Sequence, residues 1–178
     1  MKFFKKRSVA VALCVILVLV TTLLNTRWKL GGKCRDLSES FYDRGGIAAS
    51  LETIRTESDS LAAVAESNGI DAQALRTASG NLQGMLSQRS IGAAQLFPYY
   101  DALRTELRSI EQKLLSASLS DEDAAAVSKS IELIHSAQTA IGASEYNTQV
   151  RAFRSRNGGL FTRVLASLAG VRLPEEFA

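Results

Sequence analysis

The chain has 178 residues, a formal charge of +3 and only two prolines. This length allows one domain with a sizeable core after an N-terminal apolar segment, and it argues against two domains. The excess charge comes from four basic residues before that segment, since the remaining 17 basic and 18 acidic side chains nearly balance. No overall basic field therefore favours nucleic-acid binding, and the abundance of Ala, Leu, Ser, Glu and Arg is typical of helices.

Residues 8–26 form a charge-free segment between Arg7 and Arg27. As a helix this segment is about 28 Å long, close to the ~30 Å thickness of the hydrocarbon core of a bilayer. It is apolar on all faces, whereas a surface helix of a soluble core is apolar on one. We therefore predict a single-pass transmembrane helix in a cell membrane, with the lipid bilayer as its partner. The predicted anchors at the membrane interface are Phe3, Phe4, Arg7, Arg27 and Trp28.

A cleaved secretory signal is the alternative interpretation of this segment, because a signal also joins a basic flank to an apolar stretch. Leu23 and Leu24 stand where a cleavage site needs small residues, which favours an uncleaved anchor. Basic residues are equally numerous on both flanks, and the α-amine favours a cytoplasmic N terminus. We therefore expect the soluble domain to lie outside the cytoplasm.

The rest of the chain shows apolar residues at three- and four-residue steps, as amphipathic helices do. Gly45 and Gly46 predict a kink or break in the first helix, while Asp71 and Ser120 are the predicted N-caps of later ones. Pro98 predicts a helix boundary, because the residue before proline is pushed away from α geometry. The predicted helices cover about 35–66, 71–86, 98–118, 121–156 and 160–169.

Together these elements predict an all-α fold, in which an N-terminal transmembrane helix is followed by an antiparallel up-and-down helical bundle. We divide the chain into a basic flank (1–7), a transmembrane anchor (8–26), a juxtamembrane segment (27–36), a bundle domain (37–171) and a tail (172–178).

Residues able to support catalysis or metal binding are few. The single histidine, His135, follows Glu132 at the spacing of a di-iron ligand pair, but such a site needs a second histidine. Asp121, Glu122 and Asp123 are better explained as acids in the first turn of a helix than as a calcium site. We predict that the protein has no catalytic residue, metal site or cofactor, and that it is not an enzyme.

The C-terminal part is locally basic and borders an apolar helix face. Its arginines are Arg151, Arg154, Arg156 and Arg163, and the face contains Phe161, Val164, Leu165 and Leu168. The segment either closes the bundle core, with solvated arginines, or contacts anionic lipid headgroups. Core packing is favoured, because an apolar stripe is needed to close a bundle.

Three segments resemble the LemA family of bacterial membrane proteins. The family pattern F-x-x-L-x-x-E-L-x-x-T-E-x-x-I is similar to residues 100–114, and its ending F-P-S-N-L-I-A-x-L-F-G-F is similar to 160–171. The segment Y-N-x-x-V-x-x-F/Y is matched by Tyr146, Asn147, Val150 and Phe153. The resemblance covers about half the chain, and an additional segment separates residue 114 from 146. It implies a single-pass membrane protein with a helical bundle domain and no established catalytic residues.

We therefore expect a non-enzymatic, membrane-anchored scaffold or interaction protein of the bacterial cell envelope, with an envelope protein of unknown identity as its partner. The candidate interaction residues are Tyr146, Asn147, Arg151, Phe153 and Arg154. The alternative is a sensor or ligand-binding bundle with a pocket between helices. Homo-oligomers through helix faces or through Cys34 are a further expectation, although a free thiol is favoured for Cys34.

Overall fold

The computed structural model describes residues 7–89 and 91–178, and in these ranges every regular element is an α-helix. The seven helices are α1 (Arg7–Tyr42), α2 (Ile47–Ser67), α3 (Gln73–Leu86), α4 (Ala93–Ser116), α5 (Asp121–Ala143), α6 (Tyr146–Asn157) and α7 (Leu160–Leu168). The all-α prediction is therefore confirmed. The predicted anchors Phe3 and Phe4 lie outside the described residues, as does the side chain of Arg7.

Helix α1 joins the apolar segment to the rest of the protein. It has 36 residues, which corresponds to a rod about 54 Å long. Over the described residues one helix, near the N terminus, is long and apolar enough to cross a membrane, and none of its most apolar window is buried. The apolar segment is thus not a core helix of the bundle. Burial begins at Leu30 and continues at Cys34 and Phe41.

The predicted break at Gly45 and Gly46 is confirmed, since α1 ends at Tyr42 and α2 begins at Ile47. The N–H of Gly46 donates to the carbonyl of Asp43 across this turn, at 2.8 Å. A Cβ atom on Gly46 would collide with the backbone carbonyl groups of the last turn of α1. The turn is therefore closed so tightly that only glycine fits at this position.

Helix α2 is the central helix of the packing, because it contacts α1, α3, α4 and α5. Its inward face and those of α3 and α4 supply fully buried leucines and one isoleucine, which lie three, seven or eleven residues apart within a helix and therefore on one face of it, as the sequence predicts. These are Leu51, Ile54, Leu61, Leu75, Leu82, Leu96, Leu103 and Leu114. Small buried residues such as Ala62, Ala65 and Ser79 lie on the same faces, which allows close approach of the helix axes.

Side-chain hydrogen bonds set the axial position of α3 and α5 relative to α2. Ser130 of α5 donates to Glu57 of α2 at 2.8 Å, and Asn68 at the end of α2 donates to Asp123 in the first turn of α5 at 3.2 Å. Ser79 of α3 donates to Asp59 of α2 at 2.7 Å. These bonds add little energy where they are exposed, but they fix how each helix lies along α2.

The boundary predicted at Pro98 is wrong, because Pro98 lies inside α4, which begins at Ala93. A proline at this depth removes one hydrogen bond, to the carbonyl four residues earlier. Ala93 and Leu96 are buried in the core, and this burial holds the first turn in helical geometry. Packing therefore outweighs the local cost of the proline.

The continuous helix predicted over 121–156 is divided into α5 and α6. Ser144 has extended backbone geometry, and its hydroxyl accepts a bond from the N–H of Tyr146 at 3.3 Å. The division lets α6 leave the surface of α2 and pack against α1 instead. Ser120 is confirmed as the cap of α5, accepting from the N–H of Asp123 at 3.1 Å. The N-cap predicted at Asp71 is wrong by one residue, because Ala72 is the N-cap of α3, which begins at Gln73; the side chain of Asp71 accepts a hydrogen bond from the N–H of Gln73 at 3.0 Å.

The turn between α1 and α2 generates the first prediction. Gly46→Ala is expected to lower the free energy of unfolding by about 1–3 kcal/mol, because the added methyl group meets backbone that cannot rotate away. Gly45→Ala is the matched control: its Cβ has open space, so a change within about 0.5 kcal/mol is expected. Urea denaturation of the full chain in mild detergent, followed by circular dichroism, measures both. Equal midpoints for the two variants contradict the prediction.

Candidate functional site

A second, smaller core attaches the end of α1 to the C-terminal helices. It consists of Leu30 and Cys34 from α1, Phe153 from α6 and Ala166 from α7. Leu37, Val171 and Leu173 pack around it and are partly buried. We call these four buried residues the second core. Since α6 and α7 both contact α1 here, the C-terminal region is held beside the end of the apolar helix.

Tyr146 of α6 lies in the main core, the larger cluster of buried side chains that also contains Phe41. Its ring lies 5.1 Å from that of Phe41 in an edge-to-face arrangement, and its hydroxyl donates to the carbonyl of Glu175 at 3.0 Å. Burial raises the pKa of Tyr146 to about 12, with smaller contributions from Tyr42 and Glu175 in the same direction. The tyrosine is therefore neutral and structural at physiological pH.

Asn147 holds the C-terminal tail by a pair of hydrogen bonds. Its amide nitrogen donates to the carbonyl of Phe177 at 3.0 Å, and its oxygen accepts from the N–H of Phe177 at 2.8 Å. The side chain thus binds the backbone of the tail as a neighbouring β-strand would. A single side chain supplies both the donor and the acceptor that Phe177 needs.

Phe177 itself enters the main core, where its ring is 4% exposed. Its centroid lies 5.8 Å from Phe41, 5.3 Å from Phe97 and 5.6 Å from Tyr100. The division that separated 172–178 from the bundle domain therefore does not match the packing, because the tail completes the core. Sequence reasoning missed this residue, although the apolar Leu173 and Phe177 near the C terminus were a signal for it.

The five candidate interaction residues fall into two groups. Tyr146 and Phe153 are buried and Asn147 is half-buried against the tail, so these three side chains act inside the protein. Arg151 and Arg154 are exposed. The Nε atom of Arg151 lies 3.9 Å from a carboxylate oxygen of Glu176, a contact of little energetic weight at the surface.

A groove of about 1300 Å³ runs between α1, α7 and the tail, and arginines line it. We call it the arginine groove; its arginines are Arg27, Arg35, Arg154, Arg163 and Arg172. Glu175 also lines it. Among the described residues, Arg35 is the one of these five with an ion pair, to Glu39 at 3.4 Å. The sequence indicated a basic C-terminal part, but only the fold brings Arg27 and Arg35 of α1 to it.

The apolar face of α7 is exposed, so the core-packing interpretation of this segment is wrong. Its large side chains have exposed fractions of 83% for Leu160, 74% for Phe161, 49% for Val164 and 68% for Leu168. Only Ala166 of this helix is buried. Ala166 is the residue of α7 that packs with Leu30 and Cys34 in the second core, whereas Tyr146 and Phe177 are the rings that pack on Phe41 in the main core.

Cys34 is buried in the second core, and this burial raises the pKa of its thiol. A disulfide through Cys34 therefore requires the second core to open. Cys14 lies on the exposed apolar part of α1. Both are free cysteines.

A smaller cleft of about 270 Å³ lies between α2, α4 and α5. It is lined by Leu61, Leu107 and Ile134 at its base and by Arg104, Arg108, Glu111, His135 and Gln138. His135 and Glu132 are both exposed. Within 7–89 and 91–178 there is no group of three or more His, Cys, Asp or Glu side chains arranged to hold a metal ion.

Comparison with known proteins adds no assignment: no family model, no curated protein and no solved structure matches the chain.

The binding of the tail by Asn147 gives the second prediction. Asn147→Ala removes both hydrogen bonds to Phe177, so hydrogen exchange of the amides in 172–178 is expected to rise about tenfold. Gln149→Ala is the control, because Gln149 is exposed on the same helix and its side chain makes no hydrogen bond within the described residues. Exchange is read by mass spectrometry of the C-terminal peptide. Unchanged exchange in the Asn147 variant contradicts this role of the side chain.

Proposed function

We propose that the protein is a membrane-anchored, non-enzymatic helical scaffold of the bacterial cell envelope, with residues 8–26 as a single transmembrane span. The observation that carries the proposal is the continuity of α1, which passes without a break from the exposed apolar segment into the second core. A flexible tether would leave the bundle free to tumble. A continuous helix instead fixes the height and orientation of the bundle above the membrane.

The exposure of the apolar segment supports this role. In water, an exposed stretch of valine, leucine and isoleucine side chains of this length is unfavourable, whereas in a bilayer it is surrounded by hydrocarbon. Trp28, with an exposed fraction of 82%, and Arg27 follow the segment directly, where interfacial aromatic and basic residues are common. Within this proposal the main helices form an antiparallel up-and-down bundle on the outer side of the membrane.

The resemblance to the LemA family fits the same proposal. The matched Tyr146, Asn147, Val150 and Phe153 form the inward face of α6 or bind the tail. These residues hold α6 and the tail in place, and a scaffold needs such fixed packing to present its exposed side chains to a partner. In this proposal, the partner protein is contacted by exposed side chains, among them Arg151 and Arg154, and not by the buried members of the motif.

A second candidate function is ligand binding in the cleft between α2, α4 and α5. The cleft joins an apolar base with polar groups at its rim, which is the usual character of a small-molecule site. Its volume of about 270 Å³ suits a small ligand. A thermal-shift screen of metabolites discriminates between the functions: a stabilising compound whose effect disappears in Leu107→Trp, which fills the cleft, supports the ligand-binding function.

Membrane anchoring gives the third prediction. Full-length protein in its native membranes is expected to remain in the pellet after extraction with alkaline carbonate, because a transmembrane helix is held by hydrocarbon and not by charge. A variant with Leu13→Arg and Leu17→Arg carries two charges in the middle of the span and is expected to lose this resistance. Recovery of the unaltered chain in the soluble fraction contradicts the anchor.

The scaffold role gives the fourth prediction. A photoreactive residue at Arg151 or Arg154 in the full chain is expected to form one discrete crosslinked product with an envelope protein in native membranes. Position 129, an exposed lysine on α5, is a matched control for a basic surface residue away from the second core. Crosslinks that are equally diverse at all three positions, or absent at all of them in the native membrane, argue against a defined partner on this face.

A further inference from the structure

We propose that α7 is a second membrane contact: its exposed apolar face enters the interfacial layer of the bilayer that α1 spans, while Arg27, Arg163 and Arg172 of the arginine groove bind the phosphate groups of anionic phospholipids. The inference rests on the proposed function, because it takes α1 as the transmembrane helix. It assigns a role to two features that the scaffold role leaves unexplained. These are the exposed face of α7 and the arginines beside it.

The composition of the exposed face of α7 indicates a membrane contact. Four of the nine residues of α7 are large, apolar and exposed, namely Leu160, Phe161, Val164 and Leu168. Soluble surfaces rarely collect this much apolar area on so short an element, and such a patch indicates a binding surface. Amphipathic helices with Phe and Leu on one side and basic residues nearby are typical of helices that lie in the membrane interface.

The height at which α7 is held relative to the membrane supports the same contact. Ala166 of α7 packs in the second core with Leu30 and Cys34 of α1. These two residues lie four and eight positions after Thr26, the last residue of the charge-free segment, or about 6 and 12 Å along the helix axis. The headgroup layer on each side of a bilayer is roughly 5–8 Å thick. Helix α7 is therefore held at the level of the headgroups or directly above them, within reach of its own side chains.

The positive charge of the arginine groove supports the binding of phosphate. The arginine groove brings together basic side chains from α1, α6, α7 and the segment after α7, and Arg27 is the first residue beyond the charge-free segment. Guanidinium groups bind phosphate oxygens by paired, charge-assisted hydrogen bonds. Exposed Lys29 and Lys33 on α1 add to the same positive field. The groove thus lies where phospholipid phosphates are concentrated and carries the charge that attracts them.

A second copy of the chain is a poorer occupant of this surface. A symmetric dimer through the face of α7 would bring the arginine grooves of both copies together, and like charges across an interface are unfavourable. The bilayer avoids this repulsion, because it offers hydrocarbon to the apolar side chains and anionic phosphate to the arginines. It is also continuous with the surface that α1 already contacts.

The test uses the full chain reconstituted in vesicles, with Trp28→Phe and Phe161→Trp placing the only indole on α7. Phe161 is 74% exposed, so its replacement leaves the packing intact. In vesicles that contain phosphatidylglycerol and brominated acyl chains, fluorescence at position 161 is expected to fall roughly twofold relative to unbrominated vesicles. The control carries Trp28→Phe and Leu133→Trp, which places the indole on α5, and little quenching is expected there.

The charge contribution is tested in the same vesicles. Adding Arg163→Glu and Arg172→Glu to the reporter chain is expected to reduce the quenching to the level seen with phosphatidylcholine alone, whereas Arg108→Glu on α4 leaves it unchanged. Quenching that does not depend on lipid charge or on these arginines overturns the phosphate part of the proposal.

Flotation separates failure of this inference from failure of the anchor. If the chain does not float with the vesicles, both the anchor and the α7 contact are wrong. If it floats but the indole at position 161 is not quenched, only the α7 contact is wrong. Efficient crosslinking between two chains through position 161, without quenching by lipid, identifies a second copy as the occupant and overturns the proposal.

Discussion

The packing of Phe41 is the contact on which the arrangement of the whole chain depends. This residue lies one position before the end of α1 and is almost fully buried, and its ring centroid lies 5.1, 5.1 and 5.8 Å from those of Tyr42, Tyr146 and Phe177. It therefore joins the long apolar helix, α6 and the C-terminal tail at one point of the main core. Beside it, Tyr42 packs against the same core and donates its hydroxyl to the carbonyl of Ile91 at 3.0 Å, while Leu30 and Cys34 join the helix to the second core.

This arrangement has a consequence for the C-terminal region. The tail supplies Phe177 to the main core, whereas α7 packs in the second core through Ala166, beside Leu30 and Cys34 of α1 and Phe153 of α6. Its small Ala166 faces inward while its large apolar residues face outward. Apolar side chains of α7 and basic side chains of the arginine groove therefore lie side by side near the end of the apolar segment.

The local features that were predicted correctly rest on interactions between residues close in the chain. The break at Gly45 and Gly46 is conformational, and the cap at Ser120 depends on a hydrogen bond three residues away. The spacing of leucines likewise reports helical geometry directly. The boundary at Pro98 and the continuous helix over 121–156 were predicted wrongly for the opposite reason. At Pro98 burial of the preceding turn outweighs a local penalty, and at Ser144 the chain breaks so that α6 reaches α1.

By itself, the sequence determined the all-helical class, the apolar segment and the positions of most helices, because charge, hydropathy and periodicity are properties of short stretches. Only the tertiary structure decided which side chains act inside the protein and which at its surface. In the structure Tyr146 and Phe153 are buried, and Asn147 is hydrogen-bonded to the tail. Arginines from distant helices line one groove. Such outcomes depend on contacts between residues far apart in the chain, and helical periodicity carries no information about which helix faces meet.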